Sequence, residues 1–406
     1  MKLCGVNPTE RWGKTNIFQT LIEFQGKVSN MKISSYLKSI VVLCLLPMLF
    51  FSASVTHAAS LSCGTWSVVT SPNPGVPDGL SSVAAVSSSD VWAVGSAGSQ
   101  MGSGQTVIEH WNGTQWGVVT SPSPDLYNTL TGVAVVSTSN VWAVGWHASG
   151  GSTRTLIEHW NGTQWSVVKS PSPASIDNEL FGVTALSASN VWAVGFIASA
   201  TAIGPVQQTL IEHWNGTNWS VVKNPSPGSS PVLNGVTAVS SSDVWAVGNV
   251  GFTQTLIEHW NGTSWSVGKS PSPGSGDDLR DVAAVSASNA WAAGYTFNGS
   301  SIQTLIEHWN GTSWQVVKSP NVGTAPALNG VAAVSARDVW TVGSYQNSNN
   351  VGLTLTEHWN GTQWSIVKSP SPGSFNTQLL GVAAISASNV WAVGHADSQT
   401  LIEHYC

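Results

Sequence analysis

Charged residues are scarce in this chain. Only 8% of its 406 residues are Asp, Glu, Lys or Arg, and it contains 4 Cys, 4 Met and 5 Tyr. Amphipathic helices carry charged outer faces, so this composition argues against a helical protein. Glycine (40 residues) and tryptophan (22 residues) are abundant instead. The composition favours many short strands that are joined by turns of Gly, Ser, Asn and Pro.

One apolar run stands out, and it lies near the N-terminus. Lys32 and Lys38 precede the apolar stretch 40–51, and small residues follow up to Ala59. This order predicts a signal peptide at 31–59 and a secreted, extracellular or cell-surface protein with no stable membrane span after cleavage. An uncleaved anchor is the alternative. Residues 1–30 are expected to be an unstructured extension or the product of a misassigned start codon.

Basic residues are also few once the signal peptide is removed. Cleavage after residue 58 leaves eight Lys and Arg against eighteen Asp and Glu, a formal charge of −10. Such a chain offers no basic patch, so nucleic acid is not expected as a partner. Two cysteines remain, Cys63 and Cys406, and an even count in an exported protein favours a disulfide.

Internal repeats determine the predicted fold. The phrase "VWAVG" and its near copies mark seven units of 46 to 54 residues, and each unit also carries "EHW" or "EHY". The second unit contains four strand-like runs at 130–137, 140–146, 155–161 and 164–170. Asn-Gly between the last two runs predicts a two-residue hairpin. The sequence therefore predicts an all-β, seven-bladed β-propeller of four-stranded antiparallel blades over residues 60–406. A linear solenoid is the competing fold, but no polar capping unit is visible.

The last unit ends after three strands, at 379–386, 389–395 and 399–406. A matching fourth strand stands at 63–72, at the other end of the chain. We therefore expect the N-terminal strand to complete the last blade and close the ring. Cys63 and Cys406 lie at the two cut ends of that hairpin, and they are predicted to form a disulfide.

Tryptophans of the third and fourth strands are the candidate ligand-binding residues, because an indole offers an apolar face to a sugar ring. The alternative is that they form the core between blades. In the third strand they are Trp111, Trp160, Trp214, Trp260, Trp309 and Trp359, and in the fourth Trp116, Trp165, Trp219, Trp265, Trp314 and Trp364. The repeated Glu-His pair is expected to link neighbouring blades through a Glu–His hydrogen bond.

The turns at one face of the predicted disc have nearly the same sequence in every unit. The loops at the other face differ in sequence and in length, from the short loop 395–399 to the long loop 196–208. Variable loops on a rigid scaffold commonly carry recognition. Catalysis is not expected. Arg154, Arg280 and Arg337 fall in different parts of their units and cannot converge, and the strands that line the channel offer mainly Val, Ala, Gly and Ser. No metal or other cofactor is predicted.

The repeated "VSASNVWAVG" and "TLIEHWNGTQW" segments resemble the Trp-rich repeats of tectonin-like propellers and, more loosely, bacterial seven-bladed propeller lectins. The resemblance spans about residues 63–406. It implies a secreted, monomeric, multivalent protein that binds glycans at repeated sites. An extracellular scaffold for protein–protein interactions is the alternative function, and a propeller hydrolase or lyase is the least favoured.

Overall fold

The computed structural model describes residues 64–98, 103–202 and 204–406, which form seven four-stranded antiparallel sheets and no helix. Each sheet is one blade. Its four strands are named a, b, c and d in order from the central channel to the outer rim. The predicted propeller is confirmed. The predicted signal peptide and residues 1–30 lie outside the described residues.

The strand bounds are as follows. The first strand of the described residues is β1 (Trp66–Val68), which is strand d of blade 7. Blade 1 consists of β2 (Asp78–Ser87), β3 (Asp90–Gly98), β4 (Gly104–Trp111) and β5 (Trp116–Val118). Blade 2 consists of β6 (Tyr127–Ser137), β7 (Asn140–Ser149), β8 (Ser152–Trp160) and β9 (Trp165–Val167). Blade 3 consists of β10 (Asp177–Ser187), β11 (Asn190–Thr201), β12 (Gly204–Trp214) and β13 (Trp219–Val221). Blade 4 consists of β14 (Pro231–Ser240), β15 (Asp243–Val250), β16 (Gln254–Trp260) and β17 (Trp265–Val267).

The remaining blades follow the same order. Blade 5 consists of β18 (Gly276–Ser286), β19 (Asn289–Phe297), β20 (Ile302–Trp309) and β21 (Trp314–Val316). Blade 6 consists of β22 (Thr324–Ser335), β23 (Asp338–Gln346), β24 (Gly352–Trp359) and β25 (Trp364–Ile366). Blade 7 consists of β26 (Thr377–Ser386), β27 (Asn389–Ala396), β28 (Gln399–Tyr405) and β1.

The two ends of the described chain meet in blade 7. Strand β1 pairs with β28 through Trp66 opposite Tyr405, and the Gly64 amide donates a hydrogen bond to the Cys406 carbonyl. The innermost strands of blades 1 and 7 are in contact, as are those of every other neighbouring pair. The predicted ring closure is therefore confirmed. The predicted Cys63–Cys406 disulfide stays a prediction, because Cys63 lies outside the described residues.

Strand b is buried on both sides, because each blade is covered by its neighbours. In blade 2, Val141, Trp142 and Ala143 are at most 2% exposed. Glycine is required at the end of the phrase "VWAVG" for a steric reason. A Cβ on Gly145 would lie 2.0 Å from the Thr129 carbonyl oxygen, beside a bulge in strand a. The repeated phrase is thus a packing requirement of the blade.

Strand d is shorter than predicted, with three residues in place of the seven at 164–170. The strand ends at Val167, although the Val168 amide still donates to the Ile157 carbonyl, and the Ser-Pro-Ser segment at 170–172 then forms hydrogen bonds with Thr155 of strand c. The Thr155 hydroxyl donates to the Pro171 carbonyl at 2.7 Å, and it lies 3.0 Å from the Ser172 hydroxyl. The outermost strand of each blade is therefore a short edge.

The predicted two-residue hairpin at Asn-Gly is wrong. Trp160 pairs with Trp165, so four residues form the turn, and only Gly162 has a positive φ, of 94°. The Asn161 side chain accepts hydrogen bonds from the amides of Thr163 and Gln164 at 2.9 and 3.0 Å. Asparagine is needed here as a side-chain acceptor.

Candidate binding surfaces

Tryptophans pack between neighbouring blades. Trp142, in strand b of blade 2, lies 4.2 Å from His159 of its own blade, measured between ring centroids. It also lies 5.1 Å from Trp214 and 5.5 Å from Trp219, both of blade 3, and the second pair is T-shaped. These separations and the edge-on geometry are those of favourable aromatic pairs. The alternative role of the tryptophans, as a core between blades, is thus seen, and each strand-b ring pairs with the strand-c and strand-d aromatic residues of the next blade.

The candidate tryptophans fall into two groups. Those of strand d are 4–5% exposed, which leaves no ring face open to a ligand in this structure; they are Trp116, Trp165, Trp219, Trp265, Trp314 and Trp364. Those of strand c are half-buried at the rim of the face that carries the a–b and c–d turns; they are Trp111, Trp160, Trp214, Trp260, Trp309 and Trp359. Ligand contact remains a prediction, and the geometry favours it for the second group alone.

Each strand-c tryptophan is fixed by its indole N–H. Trp160 Nε1 donates to the Thr138 carbonyl oxygen at 3.2 Å, in the a–b turn of the same blade. Trp260 and Trp359 make the same bond, to Ser241 and Ala336. A ligand at these rings would therefore meet the ring carbons, with hydrogen bonds supplied by the exposed Asn-Gly-Thr turn beside them.

The expected Glu–His hydrogen bond between blades is wrong. His159 Nε2 lies 3.0 Å from Asn140 Oδ1 of its own blade, and His110 Nε2 lies 2.8 Å from Asp90 Oδ1. Adjacent strand residues point to opposite faces, so the glutamate that precedes each histidine is directed away from it. Burial lowers the pKa of His159.

The seven strand-c glutamates form a ring of completely buried carboxyl groups between blades. They are Glu109, Glu158, Glu212, Glu258, Glu307, Glu357 and Glu403, each 0% exposed. Some accept a hydrogen bond from the preceding blade: Ser71 Oγ donates to Glu109 at 2.9 Å, and Ser270 Oγ donates to Glu307 at 3.0 Å.

Burial governs the protonation of these carboxyl groups. Desolvation raises the pKa of Glu158 to about 8 and that of Glu403 to about 9. Both oxygens of each of these two residues are buried without a hydrogen-bond partner among the described residues. A charged carboxylate would be costly there, so the protonated form is favoured at neutral pH.

The central channel is more polar than expected. Arg280, on strand a of blade 5, donates through Nε to Asp278 at 3.3 Å, and its guanidinium carbon lies 4.8 Å from the Tyr295 ring centroid. Arg280 also donates to Asn329 of blade 6. Asp281 accepts hydrogen bonds from the amides of Val282 and Val331, and burial raises its pKa to about 6.

These channel groups bond to one another and tie blade 5 to blade 6. The three arginines predicted not to converge lie in β8, in β18 and between β22 and β23. Within the ranges that the structure describes, no three His, Cys, Asp or Glu side chains gather as metal ligands. Nor does any helix in those ranges have the length and apolar character needed to cross a membrane.

The b–c hairpins and d–a loops form the variable face. The predicted loop 196–208 is largely a hairpin, because β11 and β12 continue pairing as far as Thr201 opposite Gly204. Seven large, mostly apolar side chains in the described part of this face are exposed: Val76, Leu126, Tyr127, Val206, Phe252, Phe297 and Phe375. The opposite, constant face exposes one such side chain among its described residues, Val285.

Two of these aromatic residues are close together. A Cβ placed on Gly276 would lie 3.2 Å from Phe297 Cβ and 3.5 Å from the Phe252 carbonyl oxygen. Phe252 is 62% exposed and Phe375 is 78% exposed. Exposed apolar groups of this size often mark an interaction site on a soluble protein. Sequence analysis found the variable loops but not these residues, although three phenylalanines in or beside polar loops were a readable signal.

Comparison with known proteins supports the fold and goes no further. No family model and no curated protein matches the sequence. The structure of YCF48 bound to a D1 peptide is similar, with a TM-score of 0.54 and 14% identity, covering 85% of this chain and 96% of that chain. A chain of the mitotic checkpoint complex has a TM-score of 0.54 and 12% identity, covering 85% and 91%. A GH74 xyloglucanase from Xanthomonas campestris has a TM-score of 0.50 and 11% identity, covering 82% and 54%.

These neighbours have different functions and share only the fold. The comparison therefore supports a structural class, and the chain is a seven-bladed, Trp-rich β-propeller. One fold hosts many functions, so the site must carry the functional argument.

Proposed function

We propose that this chain is a secreted, non-enzymatic binding protein whose variable face recognises a protein partner. The observation that carries the proposal is the contrast in apolar exposure between the two faces, with four aromatic rings on the variable face. Aromatic residues are enriched at the centres of protein interfaces. The YCF48 complex with a D1 peptide and the checkpoint-complex chain support the proposal, because in both cases a propeller of similar fold engages a peptide or protein.

The test is a pull-down of extracellular proteins with two matched triple variants. Phe252→Ser, Phe297→Ser and Phe375→Ser together remove three of the four exposed aromatic rings of the variable face and leave Tyr127. Val167→Ser, Val221→Ser and Val316→Ser together remove three exposed apolar side chains, each 46–47% exposed, from the outer strands. We expect the first variant to lose captured partners at least tenfold and the second to retain them. Equal capture by both variants would contradict the proposal.

Glycan binding is the second candidate, favoured by the half-buried strand-c tryptophans beside exposed Asn-Gly-Thr turns. Several weak, near-equivalent sites could raise avidity by roughly 10²–10⁴ without any new contact. A glycan array probed with the wild type and with Trp160→Leu, Trp214→Leu tests this candidate. Signals that fall in the variant would support it, and an array without signals would exclude the sugars displayed.

A further inference from the structure

One blade interface has a groove that follows from a single break in the repeat. The position directly after the last residue of strand d is the same in every blade except blade 4. In six blades it is valine, packed against the cluster between blades, at Val69, Val119, Val168, Val222, Val317 and Val367. In blade 4 it is Gly268, and the corresponding cluster has no such side chain.

A groove of about 600 Å³ lies at this position between blades 4 and 5. Trp245, Trp309 and Trp314 border it together with Gly268, but only the half-buried Trp309 offers accessible ring surface, because Trp245 and Trp314 are 4–5% exposed. A Cβ on Gly268 would meet Ile257 at 3.7 Å, an ordinary contact, so the space is open to an aliphatic group. The volume is typical of ligand sites.

The rim of the groove is polar and carries one exposed cation. Ser266, Gln315 and the exposed Lys269 line it. His259 also lines it but is paired with Asp243 at 2.8 Å, and the carboxyl group of Glu307 is buried and accepts a hydrogen bond from Ser270. The accessible charge is therefore positive, which favours an occupant with a carboxylate beside its aliphatic group.

The edge of the sheet lies next to the groove. Strand β17 is the last strand of its sheet, and its outer side has no neighbouring strand in the order β14-β15-β16-β17. An extended peptide can add to such an edge through backbone hydrogen bonds while one side chain enters an adjacent pocket.

We propose that the Gly268 groove is a binding site for an extended peptide that places a branched aliphatic side chain in the space beside Gly268 and a carboxylate near Lys269. The site extends from the end of strand d to the constant-face turn at Thr312 and Ser313, and it is independent of the variable-face proposal. Because the other six strand-d segments carry valine at this position, we expect one such site in the described part of the chain.

The experiment uses isothermal titration calorimetry on the whole chain with the acetylated, amidated peptide Ser-Thr-Val-Asp-Ser as the probe. Matched peptides replace the Val by Ala or the Asp by Lys. We expect one site in the wild type and at least tenfold weaker binding of each altered peptide. Gly268→Val, which restores the repeat, should remove binding while the protein unfolds at the same or a higher temperature.

The reciprocal variant Val317→Gly opens the same position between blades 5 and 6, beside Lys318 and Trp364. We expect it to raise the stoichiometry from one peptide to two. Absence of binding to the wild type, or unchanged binding in Gly268→Val, would overturn the proposal. Methyl α-mannoside and methyl β-glucoside serve as sugar probes in parallel. Saccharide binding that Gly268→Val abolishes, without peptide binding, would also overturn it and make the groove a sugar site.

Discussion

The constant and variable faces of the disc use aromatic residues in opposite ways. Beside the constant face, rings pack into the blade interfaces, as Trp142 does against Trp214 and Trp219. On the variable face, Phe252 and Phe375 are exposed to solvent. The tryptophans that recur from unit to unit therefore pack between blades, whereas Phe252 and Phe375, which occur once each in the repeat, leave their rings exposed.

The largest expected effect is at a strand-b tryptophan. Trp142→Ala removes a ring that is 2% exposed and should lower the free energy of unfolding by about 3–5 kcal/mol. Phe375→Ala on the variable face should change it by less than about 0.5 kcal/mol. Urea unfolding of both variants measures the difference, and similar losses would contradict the division between the faces.

The dependence of stability on pH gives the next effect. Burial raises the pKa of Glu403 to about 9. Between the ordinary value of 4.5 and about 9, the folded state keeps a proton that the unfolded state releases, so stability falls as the pH rises. Glu403→Gln should make that fall shallower, by up to about 1.4 kcal/mol per pH unit. Urea unfolding from pH 5 to 9 measures the slope.

Asp397 on the variable face is the control for this series. The amides of Ser374, Asn376 and Phe375 donate hydrogen bonds to its carboxylate and lower its pKa. Its contribution to stability is present above the ordinary pKa and is lost only as the pH falls below it. Asp397→Asn should therefore leave the slope between pH 5 and 9 unchanged. A slope unaltered by Glu403→Gln would exclude the charged-state cost assigned to the buried glutamates.

The smallest effect compares the same turn on the two faces. Asn161 on the constant face and Asn298 on the variable face each accept hydrogen bonds from two backbone amides. Replacing either by Ala should cost about 1 kcal/mol, because the acceptor is lost. Thermal unfolding of Asn161→Ala and Asn298→Ala measures the two costs. A cost confined to one face would show that this turn does more there than end a hairpin.

Much of the fold could be predicted because the repeat presents the same pattern seven times. The closing strand could be predicted because blade 7 lacks a strand d in its own segment. The direction of the strand-c glutamates could not, since an apolar strand buried on both sides gives no alternation from which to read the faces.

The sites were harder to predict than the fold. Repetition drew attention to the tryptophans, yet in strand d those rings are buried by the neighbouring blade, a contact that spans two units. The exposed phenylalanines and Gly268 occur once each, so no repeat pattern marks them. Their roles depend on the spaces that the ring creates around them.

A photo-crosslinking map tests the division between the faces most directly. Benzoylphenylalanine would replace Phe252, Phe297 or Phe375 on the variable face, and the exposed Thr114, Thr163 or Thr217 in turns of the constant face. After irradiation with extracellular proteins, the account predicts that partner adducts form at the first three positions and not at the second three. Adducts that form mainly in the Asn-Gly-Thr turns would contradict it.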